Sequence, residues 1–149
     1  MNPMPGKPPT SADHLAKAED NKQFGLGMIR THHVSAGWAL TAMFYSAVHF
    51  AAAYLCTIGV IPENHGDRTD EILARPELNN IYKNYRHLSD RSFNARYKFN
   101  VYGKHDVDQA IPSLERIEQH IRSLLVTTGK VSGSIDAGNP VKTRFAGSG

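Results

Sequence analysis

An uncharged run from Ser35 to Ile61 constrains the fold more than any other feature of this chain. It carries one strongly polar side chain near its centre, His49, and a polar segment, residues 62–68, follows it directly. A run of this length is either a membrane-spanning helix or the central buried helix of a bundle. In both environments His49 needs a partner, because an unpaired polar group is costly away from water.

The composition of the run favours a core helix over a membrane span. Many of its residues are alanine, glycine, serine or threonine, so it is less apolar than its lack of charge suggests. The charged residues on its two flanks show no decisive asymmetry, which an orientation signal would require. We therefore predict a soluble core helix of roughly 22 residues that ends near Gly59 and Pro62, and no membrane association.

Composition points to one domain in a reducing compartment. The 149 residues are enough for a single hydrophobic core, and the lone Cys56 lies inside the apolar run, so no disulfide framework forms. The N-terminal residues show no basic segment followed by an apolar one, and we expect no secretory signal and a cytoplasmic protein. The eight histidines lack metal-ligand spacing, so no metal or cofactor is expected.

The rest of the chain reads as helices joined by loops. We expect a first helix over 11–24, ended by Gly25 and Gly27, a third beginning near Asp67, a fourth over 76–97 and a last over 107–127. The last has isoleucine and leucine at helical spacing, which marks a core-facing stripe. The prediction is an all-α, up-and-down bundle of four or five helices over 11–128, with disordered tails at 1–10 and 129–149.

Positive charge is concentrated in one part of a neutral body. The formal charge is +3, but residues 11–129 hold 13 basic and 13 acidic side chains, whereas residues 83–104 hold six basic and one acidic. Six tyrosines and phenylalanines lie in or beside that stretch. Cations interleaved with aromatic rings suit a nucleic-acid surface, since they bind phosphates and stack on bases. The same pattern is also typical of a solvated helix face beside core aromatics.

Several polar residues are expected to meet in the core. Tyr45 and His49 are four apart and share a helix face, and the 76–97 helix presents Ser92 and Arg96 at the end of its own inward face. The predicted cluster joins Tyr45, His49, Ser92 and Arg96, with His65 and Arg68 nearby. A histidine acid or base beside an arginine suits phosphoryl transfer. Alternatively, His49 only fixes helix register, His65 caps a helix, and Arg68 and Arg91 form surface ion pairs.

Two segments resemble a known family. WALTAMFYSAVHFAAAYL (38–55) is followed by a loop with His65 and Arg68, and then by NIYKNYRHLSDRSFNARY (80–97). Together they resemble the HEPN superfamily of small helical bundles. The resemblance implies a bundle that usually dimerises and works in toxin–antitoxin, anti-phage or RNA-processing systems.

Many HEPN relatives are metal-independent ribonucleases with an arginine and, after four to six residues, a histidine. No arginine of this chain has a histidine at that distance. The first hypothesis is therefore an RNA-associated protein, with cleavage undecided. The alternative is a non-catalytic accessory or antitoxin-like subunit with a protein partner.

The RNA hypothesis assigns roles to particular residues. A homodimer that binds RNA is expected. The catalytic candidates are His49, His65, Arg91 and Arg96, and the binding candidates are Tyr45, Arg68, Tyr85, Arg86, Ser92, Tyr97 and Lys98.

Overall fold

The apolar run forms a helix around which the other helices pack. The computed structural model describes residues 6–30, 36–98 and 101–129, although not the side chains of residues 29 and 30. Its helices are α1 (Ser11–Arg30), α2 (Ala36–Leu55), a 3-10 turn (Cys56–Ile58), α3 (His65–Ala74), α4 (Pro76–Asn79), α5 (Tyr82–Tyr97) and α6 (Lys104–Thr127). These ranges contain no strand, which confirms the all-α bundle. Half of the predicted N-terminal tail and all but one residue of the predicted C-terminal tail lie outside them.

Helix α2 is the centre of the core. Fifteen of its 20 residues are buried, and it contacts α1, α5 and α6. By length and composition Ala36–Ile58 could cross a membrane, but 83% of its apolar window is covered by the rest of the chain. Helix α2 continues into the 3-10 turn, and this helical segment ends as predicted at Gly59, which takes a left-handed conformation with φ of 75°. Its packing is that of a core helix, while the cytoplasmic location stays a prediction.

Small residues bring α1 and α2 into close antiparallel contact. The Ser46 hydroxyl donates to the Ala18 carbonyl at 2.7 Å, and the Ser11 hydroxyl donates to the Ala53 carbonyl at 2.8 Å. At the other end, a Cβ on Gly25 would lie 3.2 Å from the Ala39 carbonyl oxygen. The expectation that Gly25 ends the first helix is wrong, because this glycine lets two helix backbones approach and α1 continues to Arg30.

Three further helix boundaries differ from the predictions. Helix α3 begins at His65, two residues early, because the Asn64 side chain caps it by accepting from the Asp67 N–H at 2.9 Å. The predicted 76–97 helix is two helices, α4 and α5, separated by a turn at residues 80–81. Helix α6 begins at Lys104, where the Asp106 carboxylate accepts from the Gly103 N–H at 2.9 Å.

The close contact at Gly25 gives a stability test. We expect Gly25→Leu to lower the free energy of unfolding by about 1–3 kcal/mol, because the added side chain must push apart α1 and the α2 backbone. Gly27→Leu is the matched control, since no atom lies within 4 Å of a Cβ there. It should raise stability by about 0.5–1 kcal/mol through helix propensity. Urea unfolding measures both, and equal effects would contradict the close packing.

Candidate functional site

Polar side chains from four helices meet at one side of α2. We call them the histidine–arginine cluster, which consists of His14, Tyr45, His49, His65, Arg68, Tyr85 and Arg96. Helix α1 supplies one member, α2 two, α3 two and α5 two. The cluster contains most of the predicted core site and adds His14, which the sequence did not single out.

The partner of His49 is His14. Their Nδ1 atoms lie 3.1 Å apart and their ring centroids 5.4 Å apart. His49 makes its hydrogen bond and its ring contact with His14 rather than with the predicted Ser92 and Arg96, because α2 turns His49 toward α1. Its neighbour Tyr45, about 40° away around the helix, is the residue that reaches α5.

Burial and nearby positive charge keep this histidine pair neutral. The pKa of His49 is lowered to about 4 by burial and by the charges of His14, Lys17 and Arg68. Burial also lowers the pKa of His14, with a further contribution from Arg68. Of two neutral imidazoles facing through Nδ1, one donates its proton and the other accepts. The donor then has a free lone pair at Nε2, which can act as a base.

His65 and Arg68 lie one turn apart at the start of α3. The Arg68 Nη1 group donates to His65 Nδ1 at 3.2 Å, so the neutral ring carries its proton at Nε2. Desolvation lowers the pKa of His65, and the charges of Arg68 and Arg96 lower it further. The ring packs against Phe44 and Tyr45, yet the residue is exposed. His65 can therefore present an N–H donor to a bound group.

Arg68 connects the histidines to a fully buried tyrosine. Its charge favours the ionised form of Tyr85, but burial dominates and raises the pKa of Tyr85 to about 12. No hydrogen bond of good geometry joins the two side chains. Among the described residues, Arg68 Nε, the Tyr85 hydroxyl and Ser92 Oγ are buried and have no hydrogen-bond partner. Each such group lowers the free energy of unfolding by about 1–3 kcal/mol. The stability of the fold therefore does not explain why these groups are polar.

Arg96 is held by aromatic rings and by neutral oxygens. Its Nη1 donates to the Tyr45 hydroxyl at 3.4 Å and its Nε to the Ser92 carbonyl at 3.3 Å. The guanidinium carbon lies 5.8 Å from the Tyr45 ring centre and 5.1 Å from that of Tyr97. Within the described ranges, neither Arg96 nor Arg68 forms an ion pair with a carboxylate. Two positive charges therefore face the site uncompensated.

The other basic candidates lie outside the cluster. Arg91 forms an ion pair with Asp106 of α6 at 2.7 Å, and Arg86 pairs with Asp90 at 3.0 Å. The structure thus does not bring the predicted catalytic Arg91 to His49. Arg96 is five positions after Arg91, which turns their side chains about 140° apart on α5.

The positive stretch is also weaker than the sequence indicates. Lys104 pairs with Asp108 at 2.8 Å, and Arg91 is neutralised by the same helix. Both carboxylates belong to α6 and lie just outside residues 83–104. Lys98 and Tyr97 at the end of α5 are exposed, so the accessible basic and aromatic groups are concentrated near Arg96.

The donor set suits an anion better than a metal ion. In the part of the chain that the structure describes, no group of three or more histidine, cysteine, aspartate or glutamate residues could hold one. Protein metal sites combine such donors and avoid adjacent arginines. Burial raises the pKa of the Cys56 thiol, which makes it a poor nucleophile.

Comparison of the chain with family models, curated proteins and solved structures found no match. Fold alone does not determine function. The chemistry of the histidine–arginine cluster therefore carries the functional argument.

The histidine pair predicts how stability changes with pH. Because the pKa of His49 is about 4 in the folded chain and near 6.5 when unfolded, folding favours the neutral ring. Stability should be complete above about pH 6.5 and fall by roughly 1–2 kcal/mol as the pH drops toward 4. Urea unfolding from pH 7.5 to 4.5 measures it. His49→Gln should flatten this dependence, whereas the exposed His105→Gln should not; identical profiles would contradict the buried neutral pair.

Proposed function

We propose that this chain is an RNA-associated protein whose histidine–arginine cluster binds phosphates of the RNA backbone. The observation that carries the proposal is that Arg68 and Arg96 flank the adjacent rings of His65 and Tyr45, and that neither arginine pairs with a carboxylate in the described ranges. The resemblance of the sequence to HEPN proteins points in the same direction.

A phosphate would satisfy what this site leaves open. Guanidinium groups donate in a planar fork that matches phosphate oxygens, and charge-assisted hydrogen bonds are the stronger kind. His65 can add its Nε2–H, because its Nδ1 is occupied by Arg68. Arg68 and His65 of α3 and Arg96 of α5 would then donate hydrogen bonds to one anion.

Aromatic groups beside the cluster favour RNA over a small anion. Tyr97 lies over the Arg96 guanidinium, and Phe93 contacts Tyr97 with ring centroids 5.1 Å apart. Both rings are exposed. Exposed rings next to phosphate-binding arginines are typical of proteins that bind single strands, since bases stack on them.

Cleavage is a second candidate function for the same site, favoured by the His14–His49 pair. The pair offers a free imidazole nitrogen, which could take the proton of a ribose 2′-hydroxyl as its oxygen attacks phosphorus. The 5′-oxygen would leave with a proton from the other ring's Nε2, while the shared Nδ1 proton moves between the rings. The products are a 2′,3′-cyclic phosphate and a 5′-hydroxyl. Arg68, whose charge acts on both rings, would stabilise the charge on the phosphorane.

Binding is tested by matched arginine variants. We expect Arg96→Gln to weaken binding of a labelled single-stranded RNA about tenfold at low salt, because a phosphate contact is lost. The slope of the logarithm of the affinity against the logarithm of the salt concentration should become shallower by about one. Arg86→Gln is the control, from the same helix but already paired with Asp90. Fluorescence anisotropy at several salt concentrations measures both. Equal losses, or no RNA binding by the folded wild type, would contradict the proposal and favour the alternative, a non-catalytic accessory subunit with a protein partner.

Cleavage is tested separately with a mixed RNA pool in EDTA. If the pair is the base, wild-type protein should produce 2′,3′-cyclic ends, and His49→Gln should lose at least a hundredfold in rate because general base catalysis contributes about 10²–10⁴. Binding should persist in His49→Gln. RNA that is bound but left intact by the wild type would restrict the function to binding.

A further inference from the structure

A pocket beside the histidine–arginine cluster is lined by two exposed aromatic side chains and an arginine. It encloses about 290 Å³ between the start of α2 and the end of α5, and it is lined by Gly37, Trp38, Thr41, Ala95, Arg96 and Tyr97. Trp38 and Tyr97 remain 60% and 66% exposed although both are large aromatic residues. Arg96 belongs both to the pocket and to the cluster, so the two sites are continuous.

Two aromatic residues from different helices and one guanidinium group form a surface for a flat ring. Tyrosine and tryptophan present π-faces on which a nucleobase can stack, and arginine adds a cation that itself stacks. The volume is close to the lower limit for small-molecule sites, about 300 Å³, which suits one base rather than a larger group. The small side chains of the buried Thr41 and the half-buried Ala95 complete the lining.

We propose that this pocket holds one unstacked base of an RNA strand, with the adjacent phosphate at Arg96. The inference rests on the proposed function and adds a separate binding site to it. Trp38, which the sequence did not mark as a site residue, becomes a base-stacking residue. Tyr97 acquires two roles, because it covers Arg96 and faces the base.

Trp38 reports on its own pocket, since it is the only tryptophan in the chain. Unlabelled oligoadenylate should quench its fluorescence saturably as a base stacks on the indole. A strand with the same number of ribose phosphates but no bases is the matched ligand. It should still bind at the arginines, as seen by competition against a labelled strand, but it should leave the Trp38 emission unchanged.

Variants separate the pocket from the phosphate contacts. Trp38→Leu should weaken oligoadenylate binding about tenfold, because one base loses its stacking surface, and should leave binding of the base-free strand within twofold. Tyr97→Leu should weaken oligoadenylate binding at least as much, since Tyr97 also covers Arg96. Phe24→Leu removes an equally exposed ring (62%) that does not line the pocket and should change neither. Far-ultraviolet circular dichroism confirms that each variant is folded.

The outcomes distinguish the two proposals. Oligoadenylate binding without quenching, unaffected by Tyr97→Leu, would overturn the base pocket and leave phosphate binding intact. Quenching by adenosine monophosphate alone, with no binding of either strand, would keep a base pocket and overturn the RNA proposal. If neither strand binding nor Trp38 quenching is observed, both the base pocket and the RNA proposal are overturned.

Discussion

The structure depends on the need to cover an uncharged helix on nearly every side. Helix α2 lacks a polar face of its own, so α1, α5 and α6 must all pack against it to remove its apolar surface from water. Tyr45 and His49 are the exception, because these two half-buried polar side chains need partners from the covering helices. The polar cluster is therefore built where α1, α3 and α5 meet α2, and its position follows from the same packing that forms the core.

The electrostatics of that cluster differ from those of an ordinary structural network. Four other arginines, Arg75, Arg86, Arg91 and Arg122, pair with carboxylates. Around His65 the positive groups instead contact imidazoles, aromatic rings and neutral oxygens. Arginines that lack a carboxylate partner and histidines that are held neutral raise the electrostatic free energy of the site. Binding of an anion would lower it.

The sequence predicted the fold better than the site, for physical reasons. Helix type and core composition follow from local periodicity, so the bundle and the end of the apolar helical segment at Gly59 could be predicted. Gly25 was misread because its role depends on the approach of a second backbone. His14 was missed and Arg91 wrongly grouped with His49, because their partners depend on the register between helices and on rotation along α5. The local charge of residues 83–104 was misjudged since its counter-charges lie on α6.

The most direct test of the central claim is a nuclear magnetic resonance titration of isotope-labelled protein with a short single-stranded RNA at low salt. The account predicts that the ring signals of His65 and the Nε–H signals of Arg68 and Arg96 shift together and saturate, while those of Arg86 and Arg91 stay in place. Shifts spread evenly over all arginines, or none at all, would contradict it and leave the histidine–arginine cluster as part of the core alone.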